Sequence, residues 1–499
     1  MTSSGLRPIA TAAGGLLLGC LVFSSQPPSA RGATALDGPL PPEPQVVSVL
    51  RTGGTDGLPS CREALGITEP LSPPAAPSAV STGPPPKPSV PDPVGSTETI
   101  ETPLRPALEA DLPLVEGLGP LPGSNPDALP LQHLVGSRDV LAGIRQVFRR
   151  GDQGKRVRVS FYGASHTASD WWSGHIRRIL QDRWGDLGHG FILPAALYKG
   201  YRNADVNLCR TPGWTADYIG KRDRAPAAPL GFSGMSVSSS DPADFGWVET
   251  THVNPHGRKV EWFDIYALGH RDGGSYRVEV DDAPPHIVST SQPEQGLHIT
   301  RVAVADGGHR LKVSPVGDGL VTFFGISMER SGPGALVDTM GIRGRQARDW
   351  LEWNDQLLIE GWRALNPDIV VLAYGTNEAN NSNYSVDTYQ AELDAVLSKF
   401  RTGLPEVPCI LVGPSDRGVQ RRGVYSVWDR TAPIAQIQRE TAPRYGCAFY
   451  DLQEATGGRG SMIAWRFTQP ALAASDLIHF TKTGYEWLAE RFIKALDSL

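Results

Sequence analysis

The hydrophobic positions of this chain change period several times. From Val157 to Leu180 it runs VRVSFYGASHTASDWWSGHIRRIL. The first part alternates β-branched and aromatic residues with polar ones, as a strand does. After Gly163 the spacing lengthens, and Trp172, Ile176, Ile179 and Leu180 fall on one helical face. Ser165, His166 and Thr167 stand at the junction. Just upstream, Ser137 is an N-cap residue type, and Val140, Leu141, Ile144, Val147 and Phe148 share a helical face.

From about 225 to 330 the texture is different. Short alternating runs such as SYRVEVDD and LHITRVAV are separated by turn clusters such as HRDGGS and ADGGH. Tyr276, Val278 and Val280 alternate with charged residues, the mark of a half-buried strand. Five or six strands of this kind predict an antiparallel sandwich or jelly roll. Its Trp247, Trp262 and Tyr266 are either core residues or platforms for stacking sugar rings.

After Arg330 strands and helices alternate. DIVVLAYG is almost wholly apolar, as in a strand covered on both faces. The last helix carries Tyr485, Leu488, Ala489, Phe492, Ile493 and Leu496 on one side. Repeated βα units predict a doubly wound, flavodoxin-like α/β domain, with a parallel sheet and helices on both faces. The β-rich block interrupts it. The expected α/β domain is therefore split, 131–224 and 331–499, around an inserted β-sandwich at 225–330.

Composition adds an address. Arg7 and the apolar run from Gly14 to Phe23 predict an export signal within 1–35, too short to span a bilayer. LLGC, ending at Cys20, resembles a bacterial lipobox, which makes Cys20 a lipidation and membrane-anchoring candidate; cleavage after ATA, at Ala35, is the competing expectation. Either predicts a chain outside the cytoplasm, in the cell envelope or secreted. Residues 36–130 are Pro-rich and predict a disordered tether. Four cysteines remain after Cys20; Cys409 and Cys447 fall in buried strands and read as small apolar side chains, with no bridge assigned. A net charge of −6 over 499 residues and the lack of a basic stripe argue against nucleic acid as a partner. The eleven histidines show no metal-ligand spacing, so neither metal nor cofactor is expected.

In doubly wound sheets chemistry sits beyond the carboxyl ends of the strands. Three loops lie there, GASHT, GIRG and GTNEANN, and a fourth segment, ASDLIHF, precedes the final helix. A serine hydroxyl needs a base. His479 is the only histidine after His309, and Asp476 precedes it by three residues. Taken singly, Ser165 reads equally as a helix cap, Asn377 as a turn residue, and Asp476 with His479 as a cap of the last helix. The four blocks in this order resemble the SGNH (GDSL-type) hydrolase superfamily, and SHTASDWW resembles its peptidoglycan and polysaccharide O-acetylesterase branch. That branch includes members with a carbohydrate-binding-like β domain after the first block.

The resemblance implies Ser165 as nucleophile, His479 as base and Asp476 as its partner, with an oxyanion hole of Ser165, Gly344 and Asn377. Gly341 competes with Gly344 for the glycine role. Ala164 and Glu378 stand where the family usually has aspartates. His166 and Arg343 are substrate-binding candidates: Arg343 either restricts the pocket or attracts an anionic substrate, and His166 is either structural or a substrate-facing or loop-fixing residue. The implied function is an exported serine esterase removing acyl groups, foremost acetyl, from a carbohydrate polymer such as peptidoglycan. A polysaccharide O-acyltransferase, a general lipase and a non-catalytic glycan-binding protein are the alternatives. Removing 225–330 is expected to spare some activity on small esters.

Overall fold

The computed structural model describes residues 42–49, 58–66, 104–108, 112–115, 118, 121–195, 198, 201, 203–221, 226, 228–381 and 384–499. The export segment, Cys20 and the Pro-rich run 72–93 lie outside the described residues. Five strands form a parallel sheet: β1 (Arg156–Gly163), β2 (Gly334–Gly341), β3 (Ile369–Ala373), β4 (Cys409–Val412) and β5 (Cys447–Tyr450). Their order is β2-β1-β3-β4-β5. The chain starts mid-sheet at β1, goes out to β2 and returns to β3. Ligands in such sheets bind beyond the carboxyl ends where the order reverses, which here is at β1.

Alternation along β1 assigns its two faces. Val157, Val159 and Phe161 join a core with residues of α1 (Arg138–Asp152), α2 (Trp172–Trp184) and, after β5, the final helix (Lys482–Asp497). Tyr162 points the other way, into a core with three further helices, Asp355–Leu365, Val386–Gly403 and Thr431–Thr441. Ser137 caps α1 by accepting from the Val140 N–H at 3.3 Å, and Thr481 caps the final helix through the Gly484 N–H at 3.2 Å.

Between α2 and β2 the chain builds two antiparallel sheets. One contains Val260–Gly269, Gly296–Gly307, Val321–Glu329, Met235–Ser239 and Thr215–Tyr218, with Gly190–Ile192 paired to Val321–Glu329. The other contains His286–Ser289, Ser275–Val280, Arg310–Pro315, Gly246–Thr250 and Val206–Arg210. This corrects the expected boundary at 225. The strands Gly190–Ile192, Val206–Arg210 and Thr215–Tyr218 are short and separated by Gly and Pro, so their period is too brief to read in sequence. The expected five or six strands also fall short of the number described.

The strand Val260–Gly269 is covered on both faces. Phe263, Ile265 and Ala267 meet the second antiparallel sheet, together with Val248, Val278 and Leu311. Tyr266 and Leu268 lie in one core with Trp350, Trp353 and Trp362 beside the parallel sheet. Trp247 is buried and stacked on Phe245, with the Arg310 guanidinium 4.0 Å from its ring centre. Trp247 and Tyr266 are therefore core residues and present no ring to a sugar. A polar seam also joins the layers: Arg158 makes two 2.8 Å bonds to Asp338 and one to Glu329, and Ser160 donates to Asp338 at 2.6 Å. Burial works against the Glu329 charge, but the Arg158 and Arg156 guanidiniums hold its carboxyl down to about 2.

The tether expectation for 36–130 is corrected in part. Gln45–Ser48 is a strand parallel to Gly296–Gly307. Cys61 is bonded to Cys209. Arg105 bridges to Gln469, Val115 to Tyr425, and Val115 and Leu121 are buried. Proline forbids ladders only where it stands; the apolar and β-branched residues flanking the Pro-rich run pair and pack. Cys409 and Cys447 are directly opposed on β4 and β5 and form a disulfide, with Cα atoms 4.6 Å apart. Sequence could not foresee this, because strand register places them together.

Candidate active site

Gly163, at the end of β1, is level with Gly341 of β2 and Ala373 of β3. The loops carrying Ser165, Gly344 and Asn377 thus leave three adjacent strand ends. Ser165 opens a four-residue helix, Ser165–Ala168, instead of the single longer helix implied by the sequence. Asp170 breaks it with φ of 53°. The buried Asp170 carboxylate accepts from Arg177 at 2.9 Å, Thr339 at 2.6 Å and the Ala204 N–H at 2.7 Å. One helical turn supplies little of the macrodipole that a long helix would bring to Ser165.

His479 Nε2 lies 2.8 Å from Ser165 Oγ, and His479 Nδ1 lies 2.6 Å from Asp476 Oδ2. The other Asp476 oxygen accepts the backbone N–H groups of Ile478 and His479, both at 3.0 Å. Those contacts form a tight turn with Leu477 in the left-handed region, φ 58°. The turn is tied down by Gly418 N–H donating to the Leu477 carbonyl at 2.9 Å. Partial burial raises the Asp476 carboxyl, but hydrogen bonds from His479 outweigh it and bring the group down to about 2. Asp476 therefore stays ionised across the neutral range and favours the Nδ1–H tautomer, which leaves Nε2 an acceptor facing the Ser165 hydroxyl. The side chains of His479 and Asp476 are 36% and 47% exposed, so the line of residues is open to a large substrate.

On the opposite side, Asn377 Nδ2 donates to the Arg345 carbonyl at 2.8 Å, which uses one of its two amide protons. Gly344 is exposed, with φ of 73° and open space around its α-carbon. Gly341 has a different task. A β-carbon there would fall 2.3 Å from the Ala168 nitrogen, so its bareness lets β2 pack against the helix that starts at Ser165.

His166 is buried and packs behind His479, ring centres 5.2 Å apart, with Nδ1 2.8 Å from the Tyr485 hydroxyl. This corrects the expectation that it faces substrate. Burial, reinforced by the His479 charge, lowers its pKa to about 3. A neutral His166 supports the His479 ring without repelling an imidazolium there. Arg343 is exposed, its guanidinium 5.0 Å from the Tyr198 ring centre.

Sequence reasoning passed over what Glu378 does. It was visible only as an odd residue beside Asn377. Its buried carboxyl accepts from the Ala347 N–H at 2.7 Å and the Gly375 N–H at 3.0 Å. It thereby ties the Gly344 loop to the Asn377 loop. Burial pushes this carboxyl up to about 7 against those same hydrogen bonds.

Residues 316–487 match the model of the GDSL-like lipase/acylhydrolase family. The match takes in Gly344, Asn377, Asp476 and His479 and excludes Ser165, which lies across the β-rich block. Among curated protein sequences, none matches this chain. Among solved structures, a peptidoglycan O-acetylesterase is similar at 23% identity and TM-score 0.57, over 76% of this chain and 99% of its own. A family two carbohydrate esterase from Cellvibrio japonicus is 11% identical at TM-score 0.24, over 58% of this chain and 98% of its own. An acetyl xylan esterase is 19% identical at TM-score 0.24, over 32% and 80% respectively. The chain carries, over residues 316–487, a domain of the GDSL-like lipase/acylhydrolase family, and is an ester-hydrolysing enzyme.

Proposed function

We propose that the chain is an exported serine esterase that removes acyl groups, foremost acetyl, from a carbohydrate polymer such as peptidoglycan. The observation that carries this reading is the continuous line Ser165–His479–Asp476, with contacts of 2.8 and 2.6 Å. Ser165 Oγ attacks the ester carbonyl while His479 Nε2 takes its proton. The oxyanion is held by the N–H groups of Ser165 and Gly344 and the second amide proton of Asn377. His479 returns the proton to the sugar oxygen as the C–O bond breaks, leaving an acyl-Ser165. Water, deprotonated by His479, then releases the carboxylate and restores the hydroxyl.

The polymer is favoured by the open placement of His479 and Asp476. The peptidoglycan O-acetylesterase with similar fold over 76% of the chain supports the acyl group and substrate class. Two disulfides suit an oxidising compartment and so support export; lipidation of Cys20 belongs to the same proposal. The finer fold reading is a flavodoxin-like hydrolase domain with an inserted β-sandwich, now bounded at about 190–329. Ser165→Ala is expected to abolish acetate release from O-acetylated peptidoglycan and acetyl xylan with an unchanged melting temperature. Retained turnover in that variant would overturn the reading.

A further inference from the structure

Beside the oxyanion loop lies a cavity of about 540 Å³ lined by Gly344, Arg345, Arg348 and Asp349 from one side and Tyr218, Gly220 and Lys221 from the β-rich block. Its volume suits a sugar unit. Three cations and one carboxylate line it.

Arg345 is seated for this position. A β-carbon on Gly220 would fall 2.0 Å from Arg345 Nη1, so the glycine makes room for the guanidinium. Arg345 Nη1 donates to the Ile219 carbonyl at 3.3 Å, and the guanidinium lies 5.7 Å from the Tyr218 ring centre. Its Nε–H is buried and has no hydrogen-bond partner among the described residues; the Asp349 oxygen nearest to it is 3.9 Å away. A buried unpaired guanidinium N–H is costly. The other two cations keep long ion pairs, Lys221 with Asp217 and Arg348 with Glu392, both at 3.7 Å. Lys221 also donates to the Ala216 carbonyl at 2.8 Å.

The cavity is coupled to the reacting centre through one residue. The Arg345 carbonyl holds the Asn377 amide at 2.8 Å, and Gly344 is its chain neighbour. An anion on Arg345 therefore sits beside both of these proposed oxyanion donors. A planar carboxylate matches the guanidinium fork, and the surrounding positive charge favours it.

We propose that this cavity is a subsite for a carboxylate-bearing sugar, so that the enzyme prefers acylated acidic glycans over neutral ones. The proposal rests on the esterase reading of the neighbouring site. The carboxylate is either a ring carboxylate, as in a uronic acid, or an ether-linked or peptide carboxylate, as on peptidoglycan.

Acetate release is measured on acetylated polygalacturonate, O-acetylated peptidoglycan and neutral acetylated glucomannan, for the full chain and for the Lys221→Gln/Arg348→Gln variant. The full chain is expected to show a kcat/KM at least ~10-fold higher on one acidic polymer than on the neutral one. The better acidic polymer identifies which carboxylate is recognised. That preference should fall about 10-fold in the variant and weaken with added salt, as surface electrostatics require. Equal rates on acidic and neutral polymers, or a preference unchanged in a variant that melts normally, overturn the subsite and leave the esterase reading intact. In parallel, binding of deacetylated oligogalacturonate and of a peptidoglycan fragment to Ser165→Ala is measured by calorimetry. Binding that the Lys221→Gln/Arg348→Gln changes weaken, together with a full chain carrying Ser165 that releases no acetate from any of the three polymers, upholds the subsite and overturns the esterase reading.

Discussion

Asn377 and Glu378 are neighbours with opposite fates. Asn377 is half-buried at a strand end, and one of its amide protons is already committed to the Arg345 carbonyl. If the other meets the oxyanion, Asn377→Ala should lower the single-turnover rate by roughly 100- to 1,000-fold with little effect on substrate binding. A lowered melting temperature with unchanged turnover would assign it to the turn alone. Glu378 is fully enclosed, and its carboxyl is pushed up to about 7 from an ordinary 4.5. The folded chain then holds this proton more tightly than the unfolded chain. Its stabilisation is complete below about 4.5 and is lost as pH rises through about 7. Glu378→Gln should remove that slope, on the order of 3 kcal/mol across the window, so the variant loses less stability than the parent between pH 5 and 8 in chemical denaturation. Equal slopes in the two proteins would contradict the assignment.

At the scale of elements, three adjacent strand ends and one turn make the site. Among them, β2 packs tightly against the helix Ser165–Ala168. Gly341→Ala would place a methyl 2.3 Å from the Ala168 nitrogen and 2.6 Å from its α-carbon. Backbone cannot yield as a flexible side chain does, so the helix must shift. The expected cost is about 1–3 kcal/mol of stability, together with a fall in kcat as Ser165 Oγ leaves His479. A melting curve and a burst of acyl-enzyme formation measure the two effects; full activity in the variant would mean that Gly341 is not the packing point. His166 belongs to the same scale. It lies between His479 and Tyr485 and packs against the His479 ring.

For the whole molecule, the question is whether the β-rich block stands apart. Tyr266 and Leu268 share a core with Trp350, Trp353 and Trp362, and the Tyr162 hydroxyl donates to the Phe232 carbonyl at 3.2 Å. Phe232 is itself packed so closely on Gly361 that a β-carbon there would fall 2.0 Å from it. Excising 190–329 would uncover several large aromatic side chains, each worth roughly 1.5–3 kcal/mol when buried. The excised chain is expected to be insoluble or to melt far below the parent, with small-ester activity lost along with polymer activity. A soluble, active excised chain would show that the block is an appendage. This reverses the expectation drawn from strand texture alone, which treated 225–330 as removable.

The sequence by itself determined what local spacing can encode. The period of β1 and the apolar run of β3 announced their strands, because a side chain's face follows from its neighbours along the chain. GASHT, GTNEANN and ASDLIHF announced candidate chemistry only as a set, because each is common singly and their order along the chain is what is specific. The 2.8 Å approach of His479 to Ser165 spans 314 positions and was decided by sheet order. The pairing of Cys409 with Cys447 was decided by register, and the burial of His166, Trp247 and Tyr266 by what packs against them. Glu378 shows the division most plainly. Its identity could be read directly, while its two backbone partners and its raised carboxyl pKa exist only where two loops from different strands are brought together and closed off from water.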